Sequence, residues 1–290
     1  MYRVAFVLPS LRCCWPMSSH SLPRSDSTIE PAGLMLIGHG TRQSAGREEF
    51  LEAVELVRRR LPQKNIEPAF LELCEPDIPT AMSRLVSAGA TRIVAHPVLL
   101  FAAGHARRDI PEALAVAASQ HPHVEVRQAP HLGCHPALIE LSKQRFLEAF
   151  AECDVQAPGS AETPAGVPAP SRRVGWLMVG RGSSDASALA EMQAFVDLRL
   201  RQTPVFRAET CFLAVAQPRL EEAIERMAES DATHVVVQPH LLFFGELMAH
   251  VRAAVEAAQR RGDKVWRAAD HLGPAPQLVE AICGRCAEGG

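Results

Sequence analysis

The chain states nearly the same sequence twice, at a fixed spacing. LMLIGHGTR (34–42) returns as WLMVGRGSS (176–184), placing His39 and Arg181 142 residues apart. The same offset pairs Pro76 with Pro218, in FLELCEP and FLAVAQP, and Pro97 with Pro239, in HPVLLFAAGH and QPHLLFFGEL. With a two-residue slip, HLGCHPALIE (131–140) matches HLGPAPQLVE (271–280). One offset running through successive segments identifies an internal duplication, so whatever fold the first half takes, the second must also accept. The differences are as informative as the matches. His39 becomes Arg181, Glu72 becomes Ala214 and His105 becomes Leu247. Two histidines and a carboxylate missing together from one copy read as parts of one site in the other.

Each half alternates short apolar runs with amphipathic stretches. Strands are expected at 34–38, 67–73, 91–99 and 123–129. Helices are expected at 45–61, where Phe50, Val54, Val57 and Leu61 share one face, and at 78–88 (Ile78, Met82, Leu85), 106–119 (Ile110, Leu114, Ala117) and 136–150 (Leu138, Leu141, Phe146). This alternation predicts an α/β chain: two similar parallel-sheet βα domains, flavodoxin-like in their winding, with right-handed crossovers. A length of 290 residues fits two such domains. Residues 1–31 are expected to be a disordered extension, with Met17 an alternative start; 32–152 form the first half and 174–290 the second. Between them CDVQAPGSAETPAGVPAPSRR (153–173) carries four prolines and reads as an exposed linker. The halves are expected to pack face to face about a pseudo-twofold axis.

Composition excludes several classes of function. A net charge of −3 with no basic tract argues against nucleic acid as a partner. No stretch approaches the ~20 apolar residues of a membrane span. The N-terminal apolar run Val4 to Leu8, interrupted by Pro9 and Arg12, is too short for a signal peptide. The eight cysteines form no disulfide framework, which fits a cytoplasmic protein. Cys283 and Cys286 form a CxxC, but two thiolates fall short of the four that an iron–sulfur cluster usually takes, so no cluster is expected.

In parallel sheets, ligands bind beyond the carboxyl ends of the strands. His39 should follow the first strand, Glu72 should end the second, and His105 should precede the helix after the third. All three then project toward one edge of the sheet. Two neutral imidazoles and a carboxylate make a divalent-metal site with open positions. Gly38 and Gly40 permit a tight turn, and Thr41 or Ser44 is placed to cap the helix that follows. Each histidine taken singly is as readily a helix-entry residue without chemistry. The repeated His131 reads as a loop or capping residue, His121 and His123 as a surface turn, and His240 and His250 as structural.

GHGTRQSAGREEF, FLELCEP and HPVLLFAAGHARRDIP, in this order and spacing, resemble the sirohydrochlorin chelatases, the small class II chelatase family. The resemblance covers the first half fully and the second as a degenerate copy. It implies ATP-independent insertion of cobalt, iron or nickel into sirohydrochlorin. The family's two metal-binding histidines fall on His39 and His105, its acidic residue on Glu72, and its substrate-contacting segment on Leu100, Phe101, Ala102, Ala103 and Gly104. The chemistry independently asks for such residues. Metallation removes two pyrrole protons as one M²⁺ enters, so a base must sit beside the metal, and histidine serves as ligand or base near neutral pH. Glu72 can take a proton or orient a histidine. A flat substrate rich in carboxylates needs apolar walls and cationic edges, which Arg42, Arg47, Arg107 and Arg108 could supply; Arg181 could clamp a carboxylate from across the cleft. The duplicated length with one intact site points to Co²⁺ and cobalamin synthesis, with Fe²⁺ insertion for sirohaem as the alternative and Ni²⁺ as a third candidate metal. The protein would act as monomer or homodimer. Two rivals stand beside this reading: a histidine phosphatase, which would want an arginine where Gly38 stands, and a non-enzymatic cobalt or nickel carrier.

Overall fold

The computed structural model describes residues 32–101, 104–155 and 172–289, with backbone only at 104–106 and 153–155. The N-terminal extension, Ala102, Ala103 and most of the proline-rich segment lie outside the described residues.

Each half is a four-stranded parallel sheet interleaved with four helices. The first contains β1 (Ala32–Gly38), α1 (Ser44–Arg60), β2 (Asn65–Phe70), α2 (Ile78–Ser87), β3 (Arg92–Pro97), α3 (Gly104–Ser119), β4 (Glu125–Gln128) and α4 (Pro136–Val155). The second repeats the order with β5 (Val174–Gly180), α5 (Ala186–Gln202), β6 (Arg207–Phe212), α6 (Leu220–Ala228), β7 (His234–Pro239), α7 (Glu246–Gln259), β8 (Val265–Ala268) and α8 (Pro276–Glu288). The strand orders are β2-β1-β3-β4 and β6-β5-β7-β8. The register is the same in both, Gly38 opposite Phe70 and Gly180 opposite Phe212. The α/β duplication read from the sequence is therefore the observed architecture.

The two-residue side-chain period of a strand sorts each central strand onto two cores. Leu34 and Leu36 of β1, with Trp176 and Met178 of β5, enter one continuous core shared by both halves. Met35 and Ile37 face an outer layer formed by α2 and α3, and Leu177 and Val179 face its counterpart with α6 and α7. Helices α1, α4, α5 and α8 fill the space between the sheets. The last helix of each half crosses over: α4 packs on β7 and β8, and α8 packs on β3. Ser142 of α4 fixes this exchange in a buried network. Gln238 Nε2 donates to the Ser142 carbonyl (2.6 Å) and hydroxyl (3.1 Å), Trp176 Nε1 donates to Gln238 Oε1 (2.9 Å), and Arg199 Nε donates to Ser142 Oγ (3.0 Å). Buried polar groups that satisfy one another specify a unique packing.

Several boundaries differ from expectation. β2 stops at Phe70, where its pairing with β1 ends, so Glu72 lies in the loop beyond it and not in the strand. α3 begins at Gly104, so His105 belongs to the first helical turn. Neither Thr41 nor Ser44 caps α1: the N-cap is Gln43, whose backbone N–H donates to Thr41 Oγ1 (3.1 Å), and Ser44 is already helical. α4 continues to Val155, into the segment whose composition reads as linker. Among the described residues no helix is long and apolar enough to cross a membrane.

Candidate active site at the carboxyl edge of the first sheet

Backbone geometry locks the first two site residues together. Beyond β1 and β2, Leu71 N–H donates to the Gly38 carbonyl (2.9 Å) and Glu72 N–H to the His39 carbonyl (3.1 Å). Cys74 closes the same clamp through Sγ to the Thr41 carbonyl (3.0 Å). Gly40 has a φ of 98°, and a Cβ there would sit 1.7 Å from the Glu72 carbonyl oxygen, so only glycine lets the two loops meet. Leu73, with φ 65°, turns the chain back toward Pro76. The result sets His39 Nδ1 3.2 Å from Glu72 Oε1, within ion-pair range though not aligned as a hydrogen bond. The imidazole is 36% exposed and the carboxylate 53%, so the pair opens to solvent at the sheet edge.

The remaining expected residues fall around this pair. His105 sits in the first turn of α3, following the neighbouring strand β3; its side chain lies outside the described residues. Among the described residues no three His, Cys, Asp or Glu side chains converge on one point. Arg42 is exposed close after His39, and Arg47 reaches the Glu75 carbonyl (3.5 Å). Arg107 and Arg108 are exposed on α3. Leu100 and Phe101 are half-buried against the shared core, with Phe101 5.2 Å from the His240 ring. Gly104 opens α3. A cavity of about 250 Å³ lies beyond the ends of β3 and β4, lined by Leu99, Arg107, Gln128 and His131 among others.

The second half builds the same clamp with Arg181 and Ala214 in place of His39 and Glu72. Leu213 N–H donates to the Gly180 carbonyl (3.0 Å) and Ala214 N–H to the Arg181 carbonyl (2.9 Å). Gly182 has φ 90°, and a Cβ there would lie 1.8 Å from the Ala214 carbonyl oxygen. Val215 repeats the turn of Leu73 with φ 61°.

The other histidines divide by environment. His131 is a loop residue, but its Nε2 lies 2.8 Å from Glu191 Oε2 of the opposite half. Its repeat His271 makes the mirrored contact, 3.0 Å from Glu49 Oε2. The sequence reading missed both pairs, although Glu49 and Glu191 are themselves separated by the repeat offset. His240 is buried between Phe101 and Phe195, and loss of solvation depresses its pKa to about 3. His250 pairs with Glu221 on the surface (2.8 Å). Cys283 and Cys286 lie on α8 against the shared core; burial raises both thiols, that of Cys286 to about 12. Each is therefore protonated near neutral pH.

Comparison with known proteins places the chain among relatives of one kind. The family model CbiX matches twice, over residues 33–149 and 175–289. The sirohydrochlorin ferrochelatase of Bacillus subtilis (strain 168) is 28% identical over 255 residues, covering 88% of this chain and 90% of that one. The sirohydrochlorin cobaltochelatase of Priestia megaterium is 27% identical, covering 88% and 79%. Among solved structures, SirB from Bacillus subtilis with Fe³⁺ superposes with a TM-score of 0.74 at 26% identity, covering 89% of this chain and 94% of that one. The cobalt complex of SirB from the spizizenii subspecies gives 0.72 at the same identity and coverage.

Proposed function

The chain belongs to the CbiX family, the sirohydrochlorin chelatases, in duplicated form, and on that premise we propose that it inserts Co²⁺ into sirohydrochlorin at the carboxyl edge of its first sheet. The metal is a substrate, and the overall step exchanges one M²⁺ for the two pyrrole N–H protons of the macrocycle. The observation that carries this reading is the His39–Glu72 pair, presented by a backbone clamp that the second half repeats with Arg181 and Ala214.

With Nδ1 turned toward Glu72, His39 has Nε2 left for the metal, and the neighbouring carboxylate orients the ring. His105, entering from the first turn of α3, supplies the second imidazole. Once His39 holds the metal through Nε2 it has no lone pair free, so Glu72 accepts the departing pyrrole protons in turn and passes them to solvent. Leu100 to Gly104 provide the wall against the macrocycle, and Arg42, Arg47 and Arg108 meet its carboxylates. Histidine sites hold several first-row divalent ions, and selection in the cell depends on supply as well as affinity. Relatives bearing ferrochelatase and cobaltochelatase names both match along most of the chain, which makes Fe²⁺ insertion the second reading.

The test is anaerobic mixing of sirohydrochlorin with Co²⁺, and separately with Fe²⁺, followed in the visible spectrum with wild type, His105→Ala and no protein. Acceleration over the uncatalysed rate, faster with Co²⁺ and lost in the variant, is the expected outcome. Faster reaction with Fe²⁺ would reassign the metal. Metal binding without acceleration by either ion would replace the enzyme with a metal carrier.

A further inference from the structure

The second half has lost the ligand atoms, yet it reaches into the first half at the start of the helix that bears His105. Glu191, on α5, places Oε2 2.8 Å from His131 Nε2 and Oε1 3.6 Å from Arg107, two residues beyond His105. His131 opens a loop zipped to the exit of β3: Leu132 N–H donates to the Leu99 carbonyl (2.9 Å) and Gly133 N–H to the Leu100 carbonyl (2.8 Å). One carboxylate from the opposite half thus holds both the loop beneath the β3 exit and the first turns of α3.

The mirror arrangement shows that this grip is built into the pseudo-twofold. Glu49, the repeat counterpart of Glu191, lies 3.0 Å from His271 Nε2 and accepts the Phe244 backbone N–H at 2.6 Å, just before α7. There the gripped helix carries Leu247 in place of His105. Both grips fasten the halves through the repeated histidine and differ in the second partner, the Arg107 side chain for Glu191 and the Phe244 N–H for Glu49; only that of Glu191 ends beside an expected metal ligand.

Resting on the chelatase reading above, we propose that Glu191 is a positioning residue for metal insertion, by which the second half sets the β3–α3 corner and with it His105. A displacement of about 1 Å at a reacting group can cost ~100-fold in rate, so a fastening at this corner has leverage that the same fastening at the mirrored corner lacks.

The experiment compares Glu191→Ala with Glu49→Ala, and with Glu191→Gln, which keeps a hydrogen-bond acceptor for His131. The readouts are thermal midpoint, kcat and KM for metallation, Co²⁺ affinity with the metal alone, and amide hydrogen exchange. Both alanine variants are expected to lower the midpoint similarly. Glu191→Ala is expected to speed exchange across 98–110, weaken Co²⁺ and lower kcat about tenfold with KM little changed, and Glu191→Gln to recover part of that loss. Glu49→Ala is expected to speed exchange across 240–247 and keep kcat within about twofold. Equal losses of kcat in the two alanine variants, in step with their midpoints, would reduce Glu191 to a structural fastening. Unchanged exchange across 98–110 in Glu191→Ala would overturn the proposal outright. Should wild type accelerate no metallation, the chelatase reading falls, while the exchange pattern still decides whether Glu191 sets this corner.

Discussion

The carboxyl edges of the two sheets share one backbone and differ in the atoms displayed on it. Around His39 and around Arg181 the same pair of inter-loop hydrogen bonds forms, the same glycine meets a carbonyl oxygen, and the same residue beyond it turns through positive φ. The clamp therefore persists without the histidine and the carboxylate. It belongs to the repeated unit of this chain, and the side chains displayed on it differ between the copies. These positions can be exchanged with the fold kept intact, because His39 and Glu72 are partly exposed at the sheet edge and contribute little to either core.

That comparison is broken most directly by moving residues between copies. His39→Arg, the second-half residue set in the first, is expected to lower kcat/KM by about 100-fold or more, since it puts a cation where the proposed metal ligand stands. The thermal midpoint should barely move, because a partly exposed side chain is exchanged on an unchanged backbone. The reciprocal change, Arg181→His with Ala214→Glu and Leu247→His, should add a second Co²⁺ equivalent in calorimetric titration. A stoichiometry that stays at one would locate the lost function outside these three positions.

The next effect separates scaffold from chemistry. Gly40→Ala and Gly182→Ala each force a Cβ into a backbone carbonyl at positive φ. Each should cost about 2–4 kcal/mol in denaturant unfolding, and by similar amounts. Only Gly40→Ala should also abolish metallation, since it parts His39 from Glu72. A much smaller cost at Gly182 would mean that the degenerate edge has relaxed and that the two clamps are not equivalent.

The comparison also shows which features of the molecule a sequence exposes. Strand and helix positions followed from local periodicity: LMLI in β1, and Phe50, Val54 and Val57 along α1, are buried as their spacing requires. The exchange of α4 and α8 was not legible. Leu138, Leu141 and Phe146 announce a buried face but carry no address, and either sheet offers an apolar surface to receive them. Glu191 escaped notice for a related reason: a carboxylate on a helix reads as a solvated face until its partner, 60 residues away, is located in space. The grouping of His39 with Glu72 was legible through their joint replacement in the second copy, which requires no knowledge of contacts. The expected approach of His105 to them rests on topology alone: the strand order places β1 between β2 and β3, and α3, which carries His105 in its first turn, follows β3.

The smallest expected difference lies in the interior. His96 on β3 and Gln238 on β7 are repeat counterparts, both buried. Gln238 is held by Trp176 and Ser142, whereas His96 is an imidazole whose pKa is depressed by lost solvation to about 3, with lesser repulsion from Arg285. An unfolded histidine binds its proton near the usual 6.5. Above that value neither state is protonated and no penalty arises. As pH falls from 6.5 toward 3 the unfolded chain takes up a proton that the folded chain refuses, so stability declines with acid. At about pH 5 the loss is on the order of 2 kcal/mol for His96, with a similar loss from His240. His96→Gln, which writes the second-half residue into the first, should remove about half of this acid-induced loss, read as the difference between urea midpoints near pH 7.5 and pH 5. The comparison between the two pH values is what carries the test, because any packing defect introduced by glutamine lowers both midpoints and cancels. A variant as acid-sensitive as wild type would mean that His96 takes up its proton in the folded state, and that the two interiors differ less than their residues imply.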